Sequence, residues 1–368
     1  MRLIINGYFL AKPKTGMGQY LLQILLHQKW GLELIILIPE YLKKEITDIP
    51  KAISKHIQYI PIWYTRNDLL AQIIWEKFIF LQEVQKQKAD IVWSPYPSTS
   101  YIPNIRHIMT VHDVIYWRLP EYIPNWKVNL YIKLLEKSIS KASQIITISQ
   151  FSAKEIEQIF NIKAADIPII LPSSPRLNTF SSSSISKDKY IFYEGGLDIR
   201  KNVPKLIEAF SLIANKYKDL NLYIAGKYFA SPIIPNIPAL VKQYNLQDRV
   251  KLLGYISDED MVNYLKYAEA LVYPSLYEGF GLPILEAFSL GAPVITSNIG
   301  AMKEVGADAV LSVNPNSAKS IAKAIESILN DDLLRQSIIH KGYERLQSFD
   351  WSKSALQLEL VFINNNKS

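Results

Sequence analysis

Short apolar runs and amphipathic stretches alternate along this chain, and the alternation restarts once. In the first half the runs RLIIN, ELIILI, IQYIPI, DIVWS, RHIMTV, QIITIS and IPIIL read as buried strands. Segments with apolar residues at helical spacing, such as GQYLLQILLHQ and NLYIKLLEKSIS, lie between several of them. A polar, serine-rich stretch, SSPRLNTFSSSSISKDK at 173–189, interrupts the pattern and has the composition of a linker. KYIFYEG, LNLYIAG, RVKLLGY, ALVYPS, APVITS and AVLSV then follow in the same rhythm. Strand–helix alternation predicts an α/β chain whose sheets are parallel, with helices on both faces. The restart predicts two such domains, 1–172 and 190–348, with a cleft between them. The final segment, FDWSKSALQLELVFINNNKS (349–368), predicts a closing helix that packs back on the N-terminal domain.

Length agrees, because 368 residues exceed the size at which one core stops growing. The chain has no cysteine, which excludes disulfides, thiolate zinc sites and thiol nucleophiles and fits a reducing cytoplasm. MRLIINGYFL is too short an apolar run for a signal peptide, and no stretch approaches the roughly 20 apolar residues of a spanning helix. The expectation is a cytoplasmic protein, attached at most to the inner face of a membrane. The net charge of +7 is uneven. Residues 1–170 hold 20 Lys/Arg against 14 Asp/Glu, and six of the seven Trp lie there. A basic, aromatic-rich half suits an anionic membrane or an acidic glycan. Solvated lysines and core aromatics account for the same numbers. No nucleic-acid motif is present, so that partner is not expected.

In open α/β sheets, ligands bind beyond the carboxyl ends of the strands, which narrows the search for chemistry to five places. In KPKTGMGQY, Gly16 and Gly18 precede a helix whose N-terminus could cradle an anion. The dinucleotide fingerprint fails there, because position 21 is Leu, and the Walker lysine pattern is missing. His112 closes the strand RHIMTV. In YEGGLDIRKNVPKL a strand enters a turn at Gly195, followed by Arg200, Lys201, a candidate cap at Asn202 and Pro204 in the first helical turn. Two cations beside a helix start suit a diphosphate. In YISDEDMVNYL the acidic run could suggest a metal site, but Ser257 and Asp260 read better as a capping box, and no metal is expected. In YEGFGLPILEA, Glu278 and Glu286 flank a turn containing Gly279, Phe280, Gly281 and Leu282. Its glycines permit positive φ and close approach of a ligand.

Taken together these residues resemble the retaining, metal-independent glycosyltransferases of family 4, with the two Rossmann-like domains of the GT-B architecture. Glu278-GFGLPIL-Glu286 matches that family's E-x7-E motif, and TGMGQY, VHD, ITISQFSAKEI, GGLDIRKN, SNIGAMKEV and FDW match further stretches in order. The resemblance implies that Glu278 and the Gly279–Gly281 amides hold the donor sugar and its phosphates. Glu286 would accept hydrogen bonds from the ribose. Lys201, helped by Arg200, would neutralise the leaving diphosphate. Gly16 and Gly18 would close over the phosphates, and His112 would approach the sugar. It implies transfer of a hexose from a GDP- or UDP-sugar to a glycan or lipid-linked sugar, with no metal or other cofactor. One departure stands out, since many relatives carry arginine where this chain has Gly196, and Arg200 is the candidate to replace its charge. A GT-B epimerase or phosphorylase, and a non-catalytic nucleotide-sugar-binding subunit, remain open at this level.

Overall fold

The computed structural model describes residues 1–46, 49–174, 188–228 and 231–364. Most of the expected linker, 175–187, lies outside the described residues. The chain forms two compact units. One comprises Met1–Pro172 together with Asp350–Ser368, the other Ser173–Phe349.

The first unit is built on β1 (Arg2–Asn6), β2 (Glu33–Pro39), β3 (Ile57–Ile60), β4 (Ile91–Ser94), β5 (Arg106–Thr110) and β6 (Gln144–Ile146). They form one sheet in the order β3-β2-β1-β4-β5-β6, every pair parallel. Near-continuous apolar runs such as Leu3–Ile5 are needed because both faces are covered, and all three of these residues are fully buried. The seventh expected strand, IPIIL, does not form. Ile169 makes only an isolated bridge to Thr147, because Pro168 and Pro172 supply no N–H to extend a ladder.

The second unit repeats the plan with β7 (Lys189–Glu194), β8 (Leu220–Ala225), β9 (Val250–Gly254), β10 (Leu271–Tyr273), β11 (Val294–Ser297) and β12 (Leu311–Val313). Their order is β12-β11-β10-β7-β8-β9, again all parallel. Each sheet reverses its winding direction once, between β1 and β4 in the first unit and between β7 and β10 in the second. Loops diverge at such a switch point and leave a crevice at the strands' carboxyl ends.

The closing helix, Trp351–Ile363, belongs to the first unit. Phe362 lies edge-on to Trp30 (5.1 Å) and packs on Trp93 (5.7 Å), and Trp30 Nε1 donates to the carbonyl of Ala355 (2.8 Å). Arg106 donates to the carbonyls of Val361 (2.7 Å) and Phe362 (2.6 Å), so a cation satisfies acceptors that the helix's last turn leaves without partners. The tryptophans of the first 170 residues divide between core and surface. Trp30, Trp75 and Trp93 are buried, whereas Trp63 and Trp126 are exposed. Among the described residues no helix is long and apolar enough to cross a membrane.

Candidate active site

The loops that diverge at the β7/β10 switch point carry most of the expected chemistry. Glu194 ends β7, and Gly195 follows with φ +135°, a backbone region that strains any residue with a Cβ. The turn Ile199–Lys201 leads through Asn202 into the helix Val203–Ile213, whose first turn contains Pro204 as expected. Asn202 does not cap that helix. An N-cap oxygen reaches back over the first turn from an extended backbone, and Asn202 is left-handed (φ 60°). Its Nδ2 instead donates to the carbonyls of Pro274 (3.0 Å) and Pro315 (2.8 Å), pinning the turn to the loops after β10 and β12. The expected cap at Ser257 does form, its Oγ accepting from Asp260 N–H at 3.0 Å.

On the β10 side, Leu276 N–H donates to the Arg200 carbonyl (2.7 Å), so the two loops are joined through their backbones. Of the two glycines in the Glu278–Gly281 turn only Gly281 uses positive φ, at +124°. Phe280 is buried edge-on against Phe349 (5.8 Å) and anchors the turn from beneath. Leu282 and Pro283 open the helix Leu282–Leu290, which carries the half-buried Glu286.

Glu278 is the centre of the polar cluster. Its Oε1 accepts from Lys201 Nζ (2.6 Å) and from the Tyr273 hydroxyl (2.7 Å), and its Oε2 accepts from Arg200 Nη1 (2.6 Å). Lys201 also donates to the Tyr273 oxygen at 2.8 Å. Burial alone would push the Glu278 carboxyl up, but the charges of Lys201 and Arg200 outweigh it and hold the group at about 2. Arg200 pairs in addition with Asp198 (3.1 Å), so two cations face two carboxylates. The amides and dipoles of the two helix N-termini add to the positive potential of the side chains. A Cβ on Gly196 would lie 2.8 Å from Asp198 Oδ2, the far end of a side chain that pairs with Arg200.

A second carboxyl pair lies in the same unit. Glu194 and Glu286 meet side chain to side chain. Burial, then their mutual repulsion, raises Glu194 well above the usual carboxylate range, and burial raises Glu286. Beside the strand ends of β8 and β9 lies a cavity of about 250 Å³ lined by Leu197, Tyr228, Leu252 and Tyr255.

The remaining candidates sit in the first unit. Gly18 is required by packing, since a Cβ there would lie 2.1 Å from the Lys12 carbonyl oxygen, and its N–H is engaged by the Thr15 hydroxyl (3.1 Å). Gly16, at the helix start, faces open space. His112 lies edge-on to Tyr20 (5.0 Å) with Nε2 on the Pro95 carbonyl (2.8 Å), and burial lowers its pKa, favouring the neutral ring. Sequence reasoning missed Tyr273, Asp198 and Glu194. Tyr273 and Glu194 end strands and read there as core. Only the placement of Glu194 directly before the glycine turn signalled more. No cluster of metal-ligating side chains occurs among the described residues.

Two family models match this chain, "Glycosyltransferase Family 4" over residues 16–172 and "Glycosyl transferases group 1" over residues 176–345. O-antigen chain mannosyltransferase B of Escherichia coli is 32% identical over 271 residues, 70% of each chain. An O-antigen chain mannosyltransferase of Salmonella typhimurium is 27% identical over 341 residues, 89% of this chain and 90% of the other. The structure of a sucrose-phosphate synthase from Thermosynechococcus elongatus superposes with a TM-score of 0.76 at 21% identity, covering 98% of both chains.

Proposed function

The chain belongs to the group 1, family 4 glycosyltransferases, has the GT-B architecture and is a hexosyltransferase; on that premise we propose that it moves a hexose from a nucleoside-diphosphate sugar to a glycan or lipid-linked sugar, with retention and without a metal. Its mannosyltransferase relatives support mannose as the hexose and a growing O-antigen-type polysaccharide as the acceptor.

The observation that carries the reading is the buried Lys201–Glu278–Arg200 cluster at the switch point, between two helix N-termini. A diphosphate placed there meets preformed N–H donors and two cations. As the anomeric C–O bond breaks, negative charge grows on the departing phosphate, and preorganised donors stabilise that charge more than the ground state. Glu278, kept ionised, is suited to accept hydrogen bonds from the sugar and to hold Lys201 and Arg200 in place. Glu286 would take the ribose hydroxyls, and the cavity beside β8 and β9, with Tyr228 and Tyr255 in its lining, would take the base. In this reading Arg200 supplies the charge that Gly196 lacks. The exposed basic and aromatic side chains of the first unit favour peripheral contact with an anionic membrane. Lys77 lies close enough to Lys137 and Lys141 to feel their charge, and Lys141 stacks on Tyr101 at 4.7 Å.

Steady-state kinetics of three variants test the assignment. Glu278→Ala is expected to lower turnover at least a hundredfold with a modest change in donor KM. Glu286→Ala is expected mainly to raise donor KM, and Arg200→Ala to lower both affinity and turnover. The reverse split between the two glutamates, or an unaffected Arg200→Ala, would undo the assignment.

A further inference from the structure

Glu194 has no place in the roles described so far. It ends β7, one residue before the glycine turn, and it is only 8% exposed. Its Oε1 is buried with no hydrogen-bond donor against it among the described residues. The group that its carboxyl meets is the carboxyl of Glu286, on the helix Leu282–Leu290. Two ionised carboxylates in contact in a buried site repel strongly, whereas a carboxylic acid and a carboxylate make a short, directional hydrogen bond. Such a pair titrates as a unit and retains its shared proton above the ordinary carboxylate range. The other charged groups acting on the pair are Lys201, which favours ionised Glu194, and Asp258, which disfavours ionised Glu286. Lys201 is already bonded to Glu278, so it does not compensate Glu194 in full.

We propose that Glu194 is a positioning residue for the donor: through one proton held between its carboxyl and that of Glu286, it fixes the direction in which Glu286 presents its oxygens to a ribose diol. The proposal rests on the nucleotide-sugar reading above. It gives the buried strand-end glutamate a role that burial alone does not, since an unpartnered carboxyl there only costs stability. When the proton leaves at alkaline pH, the two carboxylates repel, Glu286 loses its fixed direction, and discrimination for the diol falls. Glutamine at 194 carries a permanent N–H donor of nearly the same shape and mimics the protonated acid.

Isothermal titration of GDP and UDP, each against its 2′-deoxy analogue, from pH 7 to 9.5 tests this. The affinity ratio of each pair cancels the titration of Lys201 and of the phosphate, which both analogues share. The wild-type ratio is expected to be at least tenfold at pH 7 and to decline towards one at pH 9.5. Glu194→Gln is expected to keep a high ratio across the range, and Glu194→Ala to show a ratio below two throughout. A Glu194→Gln ratio that declines as in the wild type, or a Glu194→Ala ratio equal to the wild type's, overturns the positioning role. If nucleotide binding responds to Lys201→Ala but not to Glu194→Ala, the role fails while the donor reading stands. If neither diphosphate binds the wild-type chain, the donor reading fails and takes this role with it. Near-isosteric Glu194→Gln keeps the test valid should the alanine variant not fold.

Discussion

Glu278 shows how a single side chain ties stability to function. Its carboxyl is 7% exposed and held at about 2 against an ordinary value of 4.5, a difference worth about 3 kcal/mol to the folded state. A depressed acid stabilises the fold above its unfolded pKa and loses that contribution as pH falls from 4.5 towards 2. Glu278→Gln also leaves Lys201 buried beside a neutral amide, a change of the kind that costs about 3–5 kcal/mol. Thermal unfolding should therefore separate Glu278→Gln from the wild type by several degrees at pH 7, and the gap should narrow below pH 4.5 and close only as pH approaches 2. A pH-independent gap would mean that Glu278 contributes shape alone. At this scale the sequence was legible where motif and strand end coincide. Lys201, Arg200 and Glu278 do converge, although Glu278 lies 77 residues from Lys201 and 78 from Arg200. It was silent on partners. Nothing in the spacing reveals that Asn202 spans two loops instead of capping a helix, or that Glu286 meets Glu194, because both contacts depend on how loops from distant strands fall together.

Among the elements, twelve of the thirteen strands expected from apolar runs are present, and the exception is instructive. IPIIL has the apolar content of a strand, but Pro168 within it and Pro172 after it leave it a single bridge. Strand order, by contrast, was not written in periodicity; it follows from crossover connections that the pattern does not count. The closing helix has a sharper consequence. Phe362, Leu358, Ala355 and Trp351 are buried, and burying each large apolar side chain contributes about 1.5–3 kcal/mol. Their sum rivals the whole stability of a typical domain, about 5–15 kcal/mol. A chain ending at Phe349 is therefore expected to lose cooperative unfolding of its first unit, seen by calorimetry as one lost transition. Retention of both transitions would show that the helix is dispensable.

For the whole molecule, chain path and charge carry the arguments. The chain enters the first unit twice, and the second unit is inserted between. Ser354 Oγ donates to the Leu171 carbonyl (2.6 Å) and Ser173 Oγ to that of Phe349 (3.1 Å), so the two crossings are tied together within each unit. Composition alone could not tell a basic surface from scattered lysines and core tryptophans, because burial decides it, and the tryptophans went both ways. Exposed Trp63, Phe78 and Trp126, with Lys77, Lys137 and Lys141, lead to the expectation that the protein sediments with vesicles rich in anionic lipid and is released by salt. Absence of sedimentation even at low salt would remove the membrane from the account. Nucleotide-sugar transfer at the β7/β10 switch point is tested by a thermal-shift and turnover screen of GDP- and UDP-sugars with and without EDTA. Stabilisation by one donor class, unchanged by EDTA and lost in Lys201→Ala, is the predicted result; metal-dependent stabilisation, or none with any donor, would contradict it.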